Sequence, residues 1–185
     1  EDIFVREYGS YFADQLAQEQ ANATLSAIES ARVPDVIAAM NQLISVMATV
    51  DQTAVAEART YARDYYTSFF ELGEAFVDLG NFSEALAERT GDPGVRQAAD
   101  QLQSAISAAV VVEKHGADRS GSNGIVFHFP NSENYEFTEL SGYISPTYAE
   151  ASSDFLTKSH WDEFLAFHYT GVAFAPQEGI AFAPP

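Results

Sequence analysis

The side chains that could do chemistry are few and widely spaced. The histidines are His115, His128, His160 and His168. His160 stands beside Asp162 and Glu163, a donor set that would suit a metal ion if helical turns brought the three together. His160 and His168 lie about two turns apart on one helix, too far for the close pairing of a zinc-peptidase helix. Surface and aromatic-packing roles account for them better. His128 falls in an apolar run, where a buried histidine with its hydrogen bonds met is a simpler reading than a ligand. Glu71, Glu74 and Asp78 recur at helical spacing. They could present oxygens to calcium, which stays open as a bound cation. A solvated helix face explains the same spacing, and no EF-hand loop is present. The chain has no cysteine, which removes disulfides, thiolate metal sites and a Cys nucleophile. A Ser nucleophile would need a positioned base, and Ser120-Gly121-Ser122 is neither a Gly-x-Ser-x-Gly elbow nor accompanied by an evident His partner. The residues therefore assign no catalytic, cofactor-binding or metal position.

Composition narrows the partners. The 185 residues suit one domain, and 46% apolar content is ample for a core. Twenty-seven acidic residues against nine basic ones give a net charge of −18, with Lys114 and Lys158 as the lysines. Such a surface repels phosphate backbones and anionic headgroups, so neither nucleic acid nor a membrane surface is an expected partner. Solubility, as in a salty habitat, is the plain reading of the acidity. Attraction of basic substrates or divalent cations is the sharper one. The apolar stretch Ala105 to Val112 is far shorter than the roughly 20 residues of a membrane-spanning helix. The opening Glu1-Asp2 carries no basic segment followed by an apolar one. This leads us to expect no uncleaved signal peptide, and it is in keeping with a processed start and a secreted or extracytoplasmic bacterial setting.

The elements that must position these groups read mainly as amphipathic helices. Phe4, Tyr8, Tyr11, Phe12 and Leu16 make one stripe between Ile3 and Gln20. Thr24 to Ile28 is short and reads as a strand or a helix start. Pro34 opens a helix carrying Val36, Ile37, Met40, Leu43, Ile44 and Met47. Asp51 caps a third, with Val55, Ala58, Ala62 and Tyr65, expected to run on through Tyr66, Phe69 and Phe70. The aromatics from Tyr61 to Phe70 are expected in the core and at inter-chain surface. Leu79-Gly80-Asn81-Phe82 reads as a break or a continuation. Asp92-Pro93 starts a helix that extends through Val110 to His115-Gly116, with Lys114 and His115 set favourably for the helix dipole. After a polar, Gly-rich loop, Ile125 to Phe129 reads as a strand covered on both faces and stopped by Pro130. Asn131 to Tyr148 reads as loop, and His160 to Tyr169 as a final helix with Trp161, Phe164 and Leu165. Gly171 to Pro176 is echoed by Gly179 to Pro184, a repeat that suits a linker or a docking peptide. Residues 1–116 thus form a helical region, 117–170 the strand, loop and closing helix of the same domain, and 171–185 an apolar, Pro-containing tail.

In order along the chain, several of these segments resemble the clostripain family of cysteine peptidases. Thr24-Leu25-Ser26-Ala27-Ile28-Glu29 before a helix is similar to the family's Thr-x-Ser-Ala-x-Asp entry. Ala58-Arg59, then Asp78-Leu79-Gly80-Asn81-Phe82, looks like the Asp-Leu-Gly-Asp-Phe element, with Asn81 in place of the usual acid. Gly124 to Pro130 and Trp161 to Leu165 match the closing strand and helix, so the resemblance spans Glu7 to Tyr169. It implies an α/β, caspase-like fold, of which this chain would be the C-terminal portion: mostly amphipathic helices, with one or two short strands that complete a sheet. The family's catalytic His and Cys belong to the N-terminal portion, so no catalytic residue is carried over to this chain.

The resemblance implies a non-catalytic C-terminal chain or fragment of a clostripain-like cysteine endopeptidase that cleaves after Arg or Lys. Its partner would be the N-terminal catalytic chain of the same precursor, which it buttresses, and basic peptides would be the substrates of the intact enzyme. The alternative is a non-enzymatic helical accessory or scaffold subunit of a larger assembly, docking through its amphipathic helices and apolar tail.

Overall fold

Aspartates and prolines open the helices where the sequence places them. In a computed structural model that describes residues 24–62, 76–132, 135, 155 and 157–176, helix α1 (Val33–Met47) follows a single 3-10 turn and has Pro34 in its first turn. Helix α2 (Gln52–Tyr61) is capped by Asp51, whose carboxylate accepts from Thr53 N at 2.9 Å. Strand β2 (Phe76–Asp78) leads into α3 (Leu79–Thr90), capped by Asp78 and ended by Gly91 in the left-handed conformation at φ 61°. Helix α4 (Pro93–Ala109) has Asp92 accepting from Gly94 N and Val95 N at 2.7 and 3.0 Å. Helix α5 (Trp161–Thr170) closes the order.

Strand β1 (Thr24–Ile28) pairs antiparallel with β3 (Val110–His115), and β2 with β4 (Val126–His128). The molecule is therefore α/β and helix-rich, with five α-helices and two small antiparallel sheets among the described residues. Helices α1, α3 and α4 pack around one core, and α2 leans on α3. Met40, Leu43, Ile44 and Met47 of α1 interlock there with Val95, Leu102 and Ile106 of α4. No helix among the described residues is long and apolar enough to cross a membrane.

The structure corrects several expected boundaries. The helix from Pro93 stops at Ala109, and the residues expected to continue it form β3. Three consecutive valines favour extended backbone, and Val110 turns to φ −81°, ψ 107°. Lys114 and His115 thus lie in a strand and not at a helix C-terminus. The helix from Gln52 ends at Tyr61, because Ala62 turns extended at ψ 145°; the stretch from Tyr65 to Phe70 lies outside the described residues. Tyr61 is no core residue. It is 69% exposed, with the Arg89 guanidinium 3.5 Å over its ring. The strand before Pro130 is not covered on both faces: Phe127 is buried and Val126 is exposed. Thr24 to Ile28 is a strand, and Leu79 to Phe82 begins a new helix. The first copy of the tail repeat folds back, resting Phe174 on Phe164 and Phe167. The stripe from Ile3 to Gln20, most of Asn131 to Tyr148 and the second tail copy lie outside the described residues.

Candidate functional site

Residues around the ends of β2 and β4 build three connected features. The first is a buried carboxylate. Asp78 is fully buried, and its Oδ1 accepts from Asn81 N at 2.8 Å and Asn123 Nδ2 at 3.0 Å, while Oδ2 accepts from Asn123 N at 2.8 Å. One side chain thus caps α3 and pins the loop before β4. The solvated face expected for Asp78 is overturned by this burial; Glu71 and Glu74 lie outside the described residues. Asn81 Nδ2 donates to Gly121 O at 2.8 Å, a bond that an acid at this position could not make. Gly80 lets the loop close down, because a Cβ there would come within 2.6 Å of Asn123 Cγ.

The second feature is a groove between the two sheets. Ser26 Oγ donates to Gly124 O at 2.7 Å and holds β1 beside the loop entering β4. The groove has a volume of about 570 Å³. Leu25, Phe76 and Val126 give it a mainly apolar wall, and Glu113 is its charged member. Among the described residues each strand of these two-stranded sheets has one edge without a neighbouring strand.

The third is the aromatic seat of α5. Trp161 packs its ring edge against Phe127 and Phe129, with centroids at 4.8 and 5.0 Å, and stacks on Phe164. Its indole N–H donates to His128 O at 2.7 Å. Arg59 Nε donates to Phe129 O at 2.9 Å, and Tyr169 Oη donates to Pro130 O, so three side chains bind consecutive carbonyls from the last residue of β4 onward.

The histidines scatter around this seat. His115 binds Glu113 through Nδ1 at 2.9 and 3.0 Å. His128 lies edge-on to Phe76, and burial, with Arg59 nearby, lowers its pKa from 6.5 to about 4. His160 donates its backbone N–H to Asn41 Oδ1 at 3.0 Å. His168 meets Gln52 Oε1 at 2.8 Å, and burial lowers its pKa too. The packing role expected for His128 and His168 agrees with these contacts. No group of three or more His, Cys, Asp or Glu that could hold a metal occurs among the described residues. His160, Asp162 and Glu163 are not brought together as a metal site. Sequence reasoning missed the Asp78 junction, the groove and Arg59. An Asp directly before a helix was the available signal for the first.

Asp162 has its pKa pushed up to about 7, first by burial and then by the carboxyl of Glu163. Its folded form holds a proton that the unfolded chain, at 3.8, gives up. The stability it confers is complete below 3.8 and is lost as pH rises through about 7. His128 works oppositely: its contribution is complete above 6.5 and is lost as pH falls through about 4. Asp162→Asn should therefore leave a stability that climbs more steeply than the parent's from pH 4 to pH 6.5, while His128→Gln should leave one that climbs less steeply over the same interval. Thermal melts across that range check both, and a variant profile parallel to the parent's refutes the corresponding assignment.

Comparison with known protein families, with characterised proteins and with solved structures finds no match to this chain.

Proposed function

We propose that this chain is the non-catalytic C-terminal part of a clostripain-like cysteine endopeptidase, a caspase-like α/β enzyme cleaving after Arg or Lys, and that it buttresses a catalytic half carrying the His and Cys. The observation that carries the reading is the pair of two-stranded sheets that flank an apolar groove, each with an outer edge that no strand among the described residues occupies. A strand supplied by a partner would add to such an edge and cover the apolar wall. The serial order of the Thr24, Asp78, Gly124 and Trp161 segments supports the family reading. The absence of Cys from the chain agrees with a supporting role.

The test is intact-mass and peptide mass spectrometry on natively purified material. The expected result is a co-purifying chain, encoded upstream, with a His followed by an Asp-x-Cys segment, in a complex that cleaves Arg and Lys peptides. A folded, monodisperse monomer without such a chain overturns the reading. Unrelated partner chains would replace it with an accessory or scaffold subunit.

A further inference from the structure

Asn123-Gly124 is the one Asn-Gly pair in the sequence, and this dipeptide carries chemistry of its own. Gly124 has no side chain to keep its backbone nitrogen from the Asn123 amide carbon, so an open chain closes readily into a succinimide. The Gly124 nitrogen gives its proton to water and bonds to Asn123 Cγ. The Cγ–Nδ2 bond breaks, and Nδ2 takes up a proton and leaves as ammonia. Water then opens the ring at either carbonyl, giving aspartate or isoaspartate. The only co-reactant is water. In the folded chain the pair is gripped at several points. Asn123 Nδ2 donates to Asp78 Oδ1 at 3.0 Å and to Gly121 O at 3.1 Å, while Asn123 N donates to Asp78 Oδ2 at 2.8 Å. Asn123 Cγ lies so close over Gly80 that a Cβ there would come within 2.6 Å of it. Gly124 stands at φ 89°, and its carbonyl accepts from Ser26 Oγ at 2.7 Å.

We propose that Asn123 is a shielded deamidation site, and that its conversion, once the Asp78 junction opens, permanently loosens the link between α3 and the loop entering β4. The ring locks the Asn123 backbone and side chain into one cyclic geometry. Asp78 holds the same backbone and side chain, through N and Nδ2, in an open one. Closure therefore requires the junction to open first. The product cannot restore what was lost. Aspartate has no Nδ2 donor, and it sets a second carboxylate where that donor stood, against the buried Asp78. Isoaspartate also lengthens the backbone by a methylene directly before Gly124, which shifts the carbonyl that Ser26 holds. Ammonia is gone, so the step does not reverse. The site needs no partner chain and stands apart from the peptidase reading.

The test follows the full chain at neutral pH by peptide mass spectrometry, with an isoaspartyl methyltransferase marking the isoaspartate product. The folded parent should convert at Asn123 at least about tenfold more slowly than the same chain unfolded in urea. Asp78→Ala should speed conversion in buffer by at least about tenfold, because the open form is more populated. Leu43→Ala empties a core site between α1 and α4, and it should speed conversion by less than about threefold if the opening is local. Asn123→Asp, which copies one product, should lower the urea midpoint as Asp78→Ala does. Hydrogen exchange on the parent gives a measure that needs no variant. The protection of the Asn123 amide hydrogen should match the slowing of deamidation within about threefold. Conversion as fast in the folded parent as in urea would overturn the proposal. So would equal acceleration by Leu43→Ala and Asp78→Ala, which would assign the shielding to global folding. An Asn123→Asp chain with the parent's urea midpoint would overturn the permanent loosening. None of these failures bears on a co-purifying catalytic chain, so the peptidase reading is tested separately.

Discussion

Trp161→Ala should lower the unfolding free energy by about 3–5 kcal/mol, the usual cost of emptying a large aromatic site in a core. The side chain is 3% exposed and touches Phe127, Phe129 and Phe164 at once. Its loss leaves a void bounded by rings anchored on β4 and α5, which cannot all move inward together. It also strips the donor from His128 O, whose hydrogen bond is partly buried. Trp161→Phe should recover most of the packing and not the hydrogen bond, for a cost of about 1–2 kcal/mol. Urea unfolding monitored by circular dichroism measures both. A loss below about 1 kcal/mol for the alanine variant would show that α5 is not seated on the strand as described.

Asp78→Ala is expected to cost about 2–4 kcal/mol, because three donors lose their acceptor together inside the fold. Two are the backbone amides of Asn81 and Asn123, which cannot turn away without unwinding α3 or lifting the loop. The third is Asn123 Nδ2. Asp78→Asn is the sharper probe. The amide keeps the shape but offers one oxygen where the carboxylate offers two, so one amide proton faces another donor. Its cost should approach that of the alanine variant in the same urea experiment. An Asn variant as stable as the parent would mean that one oxygen suffices and that the junction is not the clamp described.

Local signals were readable in the sequence and distant ones were not. Asp51 and Asp92-Pro93 announce helix starts within a few residues of themselves, and both caps form as the spacing predicts. The alternation at Thr24 to Ile28 left strand and helix open because a strand needs a neighbour, and β3 lies far along the chain. Val110 to Val112 continue the apolar spacing of α4, so periodicity carries the helix past its true end; pairing with β1 decides against it. Asp78 looks like a surface acid until Asn123 is placed over it, 45 residues later. Arg59 finds its carbonyl 70 residues away. The groove is the extreme case, for none of its walls means anything until two sheets are set side by side.

The Ser26–Gly124 link spans 98 residues of chain, and this separation bears on the order of assembly. Helices α1 to α4 follow one another along the chain, whereas β1 must wait for β3, which is made only after α4. Loop closure over such a length is entropically costly, and contacts of this kind form late and slow the whole reaction. During synthesis β1 therefore emerges early and stays unpaired while the helical core condenses. The groove it borders is among the last parts of the molecule to exist, so whatever binds there binds a finished fold and not a folding intermediate.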